Sequence, residues 1–352
     1  MMRTCKKRAH VTRILIVLFI LLPAFLIFFV QHGHAAPKWP ERLVIAAPSA
    51  GTTNYMIAVG MSEVIKKCTP IKIVQVLPLG GPTVWGPMMK SDQVDLAIQS
   101  GANTIDLFLG QGEFTKMGPI PVRTLIGGHS FPLMFHTIPD KNIKTIADLK
   151  NKVVYTTMMG QPMFLQIAQA QLASAGLTIK DLKASSTMPS VAQATNQLIE
   201  GRIDAFIYPV VSVSVHQINQ AKGECQFVNL TSEQADYVAK RNPGYYKAVV
   251  PAGKYANKKE MRYAIAFQTC LHIRANLDQD VAYELTKILL EKHNEWVGAH
   301  PQAKDWGLDK APVTIATEPY HPGAIKYYKE KKLWTKEVAE HEEAMTKQLK
   351  KR

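Results

Sequence analysis

From residue 41 onward, short apolar runs alternate with segments whose apolar positions recur every three or four residues. The first run, Leu43–Ala47, stops at Pro48. Residues 54–67 follow with Ile57, Met61, Val64 and Ile65 on one helical face. "IKIVQVL" (71–77) predicts the next strand, and "LGGPTVWGPMMKS" predicts a glycine loop running into a short helix. "VDLAIQ" (94–99) predicts a third strand and "SGANTIDLFLGQG" another helix. "VRTLIGG" and "LMFHTI" read as two further strands.

The same alternation starts again near residue 153. "KTIADLKNKVVYTT" is a short helix running into a strand, and Thr145 with Asp148 gives it a capping-box start. A glycine–proline loop, "MMGQP", leads into a long helix that Gly176 stops. "SVAQATNQLIEGRIDAFIYPV" is a helix, a stop at Gly201 and a strand ending at Pro209, and "CQFVNL" is one more strand. Repeated strand–helix alternation predicts an α/β protein with mostly parallel sheets. Two similar successions, from 43 and from near 153, predict two α/β lobes with a ligand cleft between them. That cleft lies beyond the C-terminal ends of the strands.

Residues 1–36 follow a different pattern. Arg3, Lys6, Lys7, Arg8 and Arg13 precede an apolar stretch, Ile14–Val30, and then "QHGHAAPKW". This reads as a secretory signal peptide cleaved after Ala35 or Ala36, which makes the mature protein periplasmic. The alternative is an uncleaved anchor in the inner membrane, because 17 apolar residues approach the length of a span. These five basic residues supply part of the formal net charge of +14. The remaining charges are spread, with no aromatic–basic stripe, so nucleic acid is not an expected partner. Cys68, Cys225 and Cys270 have no metal spacing; in an oxidising compartment two of them can pair, while isolated buried thiols are the favoured reading for at least one.

The candidate chemistry lies in the loops that follow the strands. Ser49, Gly51, Thr52, Thr53 and Asn54 sit between a strand and a helix start. Helix starts have unsatisfied N–H groups and partial positive charge, which suits a carboxylate or a phosphate. The motifs of nucleotide loops are absent. Gly80–Gly81, Gln99–Ser100, "TTMMGQPMF" and "IYPVVSVS" are four further loops rich in Gly, Ser, Thr and Gln. No nucleophile elbow and no metalloprotease helix occurs, and the histidines are scattered. These absences weigh against an enzyme without excluding one, because catalytic groups can be brought together from distant parts of a chain, and no cofactor or metal is expected.

With these pieces in order, the chain resembles the TAXI-type substrate-binding proteins of tripartite ATP-independent periplasmic (TRAP) transporters. The matching segments are "SAGTTNYMIAVGMSEVIKK", "LGGPTVWGPMMKSDQVDLAIQSGANTIDLFLGQGEF", "KTIADLKNKVVYTT", "LASAGLTIKDL", "LIEGRIDAFIY", "YYKAVVPAGKYAN" and "EPYHPGAIKYYKEKKLW". The resemblance implies a receptor of two-lobed, periplasmic-binding-protein-like fold, not an enzyme, that closes on a small organic carboxylate and delivers it to an integral membrane TRAP permease. It places ligand contacts on Gly51, Thr52, Thr53, Asn54, Tyr55, Gln99, Ser100 and the Met158–Pro162 loop, which includes Gly160 and Gln161. Gly81, Trp85, Tyr208 and Pro209 complete the candidate set. Two departures from the family matter. Met159–Met163 replaces a loop of small hydrogen-bonding residues, and Pro209, Val210 and Val211 replace Thr-Gly-Gly. With Met88, Met158 and Phe164 nearby, they suggest a ligand with an apolar or aromatic body. Trp85 and the methionines either face that body or pack in the core. The expected boundaries are a signal peptide over 1–36, a first lobe over 41–138, a second over 139–229, a return to the first over 230–334 and a charged helix over 335–352. The rival functions are a membrane-anchored ligand sensor and a secreted α/β enzyme.

Overall fold

The computed structural model describes residues 37–253, 260–311 and 316–350. The segment expected to be a signal peptide or anchor lies outside the described residues. The first lobe is built from β1 (Arg42–Ala47), α1 (Thr53–Cys68), β2 (Ile73–Pro78), α2 (Pro82–Lys90), β3 (Leu96–Ser100) and α3 (Gly101–Leu109). β1 lies parallel to β2 on one side and to β3 on the other. A long strand, β4 (Val122–Thr137), then leads to the second lobe. That lobe repeats the frame with β5 (Val153–Met158), α4 (Met163–Ala173), β6 (Ala184–Met188), α5 (Val191–Ile199), β7 (Ala205–Pro209) and α6 (Val213–Lys222). β5 lies parallel between β6 and β7, as β1 does between β2 and β3.

After β8 (Gln226–Phe227) and α7 (Ser232–Arg241), β9 (Tyr245–Val250) pairs antiparallel with β10 (Arg262–Arg274). Helices α8 (Gln279–Glu291), α9 (Pro322–Glu330) and α10 (Lys336–Lys350) follow. One sheet runs β2-β1-β3-β10-β4-β7-β5-β6, with β8 on β4 and β9 on β10. Among the described residues, no helix is long and apolar enough to cross a membrane.

β4 and β10 carry the chain between the lobes. Leu125 and Ile126 of β4 pack in the first-lobe core with Ile45, Ile57 and Leu285, whereas Phe131, Leu133 and Phe135 pack in the second-lobe core. In β10 the change falls between Phe267 and Leu271. The pairing of the two strands slips there, between Gln268 and Cys270 and again before His272. Gly128 lies so close to the Trp306 indole that an added Cβ would enter the ring. Trp306 Nε1 donates to His129 Nδ1 at 2.8 Å, and the Gln268 amide donates to the Gly128 carbonyl. Burial pushes His129 down to about 3, so its ring is neutral and accepts.

Several expectations change in detail. The two strands expected at "VRTLIGG" and "LMFHTI" are one strand, because both halves pair with β10 or β7 without a turn. Leu230, Ala235, Val238, Tyr245 and Val250 pack with Phe131, Leu133 and Phe135. "CQFVNL" shortens to a two-residue strand. Cys68, Cys225 and Cys270 are all free thiols. The charged C-terminal helix also packs against the rest of the chain. Val338 is buried, and Glu342 accepts from the Tyr320 backbone N–H at 2.9 Å.

Candidate ligand-binding cleft

Four helices begin at the wall of one cavity of about 160 Å³. Thr52 caps α1 by accepting from Tyr55 N at 3.4 Å, while its hydroxyl donates to the Ser49 carbonyl at 2.8 Å. Gly51, with φ +81, makes the turn into that cap. Ser100 caps α3 by accepting from Asn103 N at 3.3 Å. Ser190 caps α5 and Ser212 caps α6 in the same way. Each cap satisfies one of the free amides of its first turn and leaves others to a ligand.

Ten of the expected residues line this cavity: Gly51, Thr52, Thr53, Asn54, Gln99, Ser100, Met158, Gln161, Tyr208 and Pro209. Asn54 is 8 % exposed, and among the described residues its Oδ1 has no hydrogen-bond partner. Thr53 Oγ1 lies 3.5 Å from His300 Nε2. Burial holds His300 below the usual imidazole range, so it faces the cavity as a neutral ring. The lining contains no Lys, Arg, Asp or Glu.

Four expected residues stand elsewhere. Trp85 is 1 % exposed and packs with Val44, Met89 and Phe108 under the first-lobe sheet, because positions 85 and 89 share the inner face of α2. Met88 borders the same cluster. Tyr55 packs against the core on the α1 side of the sheet. Gly81 and Gly160 meet each other instead of the cavity. A Cβ on Gly81 would enter the Gly160 carbonyl, and Thr83 Oγ1 donates to that carbonyl at 3.3 Å. Gly160 has φ +76, which glycine adopts without strain.

The Gly81–Gly160 contact belongs to a seam between the lobes. Asn103 Nδ2 donates to Gln161 Oε1 at 3.2 Å, and Gln166 Nε2 donates to Asp106 Oδ2 at 2.6 Å. Of the departures seen in sequence, Gln161, Pro209 and Val211 reach the other wall. Phe164 stacks on Tyr208 with ring centres 5.8 Å apart. Met158, Pro209 and Val211 line the cavity beside them. Burial raises the Tyr208 hydroxyl to about 12, so it stays protonated.

Sequence reasoning missed Pro48, Phe131, Val191, Ser212, Val213, Phe267 and His300 as lining residues. Phe131 and Phe267 pack edge to face at 5.7 Å where β4 and β10 cross, so they floor the cavity from the strands that join the lobes. His300 reaches Thr53 across 247 positions of sequence, and no local pattern announces that pairing. A second cavity of about 270 Å³ adjoins the first and shares Val211, Ser212, Val213 and His300 with it.

The sequence matches the NMT1-like family over residues 45–331. The chain belongs to the NMT1-like family. No curated protein matches it. Among solved structures, it is similar to PhnD1 of Prochlorococcus marinus in complex with methylphosphonate. The TM-score is 0.55 at 12 % identity, over 84 % of this chain and 100 % of that one. It is also similar to a Xanthomonas citri protein bound to chloride ion, with TM-score 0.49 and 12 % identity over 86 % and 100 % of the two chains. A third likeness is the substrate-binding protein of an amino acid ABC transporter, with TM-score 0.41 and 14 % identity over 75 % and 98 %. The NMT1-like chain thus has the two-lobed fold of periplasmic binding proteins.

Proposed function

We propose that this protein is a periplasmic solute receptor. It closes over a small organic carboxylate with an apolar or aromatic body and delivers it, chemically unchanged, to a TRAP-type membrane permease. The observation that carries this reading is the division of the cavity wall. Thr52, Thr53, Asn54, Gln99 and Ser100 offer hydroxyls, amides and two helix starts on one side. Met158, Phe164, Tyr208, Pro209 and Val211 offer apolar surface on the other. A carboxylate at the helix starts meets aligned N–H dipoles without a lysine or arginine. The apolar remainder gains by leaving water. The order of matching motifs along the chain supports the TRAP assignment. Closing the seam would bury the ligand, and the closed form is what a permease distinguishes from the open one. Export makes the mature chain start at Ala36 or Pro37, which its mass will show; retention of residues 1–35 contradicts that part.

A thermal-shift screen of small carboxylates tests the binding claim, because a ligand that binds only the folded state raises the melting temperature. At least one acid with an apolar body is expected to stabilise the wild type, and Thr52→Ala with Thr53→Ala is expected to remove the response. If no acid shifts the transition, or the double variant responds like the wild type, the assignment is wrong.

A further inference from the structure

Behind the polar wall of the cleft lies a buried acid that ligand contact does not explain. Glu318 and His272 are both fully buried, with Glu318 Oε2 3.5 Å from His272 Nδ1. His272 Nε2 lies 3.2 Å from the carbonyl oxygen of Gln99, whose residue lines the cavity. A carbonyl only accepts, so Nε2 carries the hydrogen. Nδ1 of the neutral ring is then a bare lone pair facing a carboxyl group. Two acceptors face each other stably only with a proton between them.

The surroundings supply no other counter-charge among the described residues. Among the described residues, neither carboxyl oxygen of Glu318 has a hydrogen-bond partner within ordinary geometry. The hydroxyls of Thr104 and Thr317 lie beside it, and Thr104 gives its proton to the carbonyls of Ser100 and Gly101. From β10, the titratable neighbours are Cys270 and His272. From β4, Thr124 donates to the Glu318 carbonyl, and Arg123 interacts with Glu342 of α10. His341 of α10 is held by the Ala316 carbonyl at 2.6 Å. The acid of α3, Asp106, is bound to Gln166. Tyr328 of α9 donates to the Leu125 carbonyl. Burial pushes Glu318 up to about 7 and His272 down to about 4, which puts the shared proton on the carboxyl.

We propose that Glu318 is a positioning residue whose proton, directed at His272 Nδ1 3.5 Å away, holds the Gln99–Ser100 wall and lets an anion bind there. This inference rests on the reading of the cleft as an anion site. When Glu318 ionises, a negative charge appears directly behind the start of α3, and the anion is repelled. Anion binding and proton retention by the Glu318–His272 pair therefore favour each other.

The sign for stability follows from the raised value. Below about 4.5, folded and unfolded chains both hold the proton, and the stability is fully present. As pH rises toward about 7, the unfolded chain releases the Glu318 proton while the folded chain keeps it, so this contribution falls and then levels off. His272, held down to about 4, contributes with the opposite sign, and only the comparison with a Glu318 variant isolates the acid.

The test compares the wild type with Glu318→Gln, a neutral isostere that still directs a donor at His272. Melting temperatures are taken from pH 5 to pH 8, and benzoate binding is titrated at pH 6 and pH 8.5. The wild type is expected to lose melting temperature relative to the Gln variant across this range. Its benzoate affinity is expected to fall about tenfold, while that of the Gln variant changes less than about twofold. An infrared titration of the wild type, which needs no variant, is expected to lose a protonated-carboxyl band near pH 7. Parallel stability curves, an absent band, or equal pH dependence of benzoate binding in both proteins overturns the inference alone. Absence of benzoate binding to either protein at either pH overturns the coupling together with the anion reading, even where the stability curves diverge.

Discussion

In the first lobe the turns after β1 and β3 read Pro48–Asn54 and Gln99–Asn103; in the second, those after β5 and β7 read Met158–Phe164 and Tyr208–Val213. Both pairs stand at the ends of parallel strands, in two stretches of one sheet whose local orders, β2-β1-β3 and β6-β5-β7, correspond. The frame is repeated and the chemistry is not. The first lobe presents side chains that donate and accept; the second presents a stacked Phe164–Tyr208 pair with methionine, proline and valine around it. Equivalent positions of one fold can thus be assigned to opposite ends of a ligand, and fold alone does not say which end goes where.

That contrast can be broken from either side. The largest expected effect is on the apolar side. Phe164 is 3 % exposed and belongs to the second-lobe core, so Phe164→Ala should cost about 3–5 kcal/mol of stability, read by urea unfolding. It should also weaken acids and their neutral analogues alike, because it removes body contact rather than charge recognition. On the polar side, Thr53→Ala with Asn54→Ala should weaken a bound acid by about 3 kcal/mol, roughly a hundredfold, in calorimetric titration. Stability should move less than for Phe164→Ala, and a selective loss of acids over neutral analogues is what separates the two walls.

A smaller effect is expected at the seam. Gly81→Ala has no room for its Cβ beside the Gly160 carbonyl, so the lobes should meet less closely. Affinity should fall by about 1–2 kcal/mol through faster release, measured by stopped flow. The smallest effect tests a cap. Ser212→Ala removes the hydroxyl that accepts from Ser214 N at 3.1 Å, and should cost about 1 kcal/mol of stability.

The repeated frame was legible in sequence because each strand–loop–helix unit announces itself locally. The capping pair Thr145 and Asp148 forms as expected, with Asp148 Oδ2 accepting from Thr145 N at 2.8 Å. Gly176 and Gly201 stop their helices with φ +71 and +77. What escaped is non-local. β4 looks like two strands because Gly127, Gly128, His129 and Ser130 interrupt its apolar run, yet those residues are where it crosses between the lobes under Trp306. Phe131 and Phe267 become cavity floor only because β4 and β10 are paired neighbours. Trp85 is a large aromatic beside a glycine loop, which suggested a binding surface. The helical phase of α2 turns it into the core instead. Gly81 and Gly160 are contact points of backbone with backbone, a role that composition does not distinguish from ligand contact.

The measurement closest to the central claim is a calorimetric comparison of each stabilising acid with its own primary amide, the body unchanged and only the charge removed. The acid is expected to bind at least about tenfold more tightly, a difference of about 1.4 kcal/mol, with the advantage lost in Thr53→Ala/Asn54→Ala and kept in Phe164→Ala. An amide that binds the wild type as tightly as its acid would contradict the assignment of the first-lobe helix starts to a carboxylate.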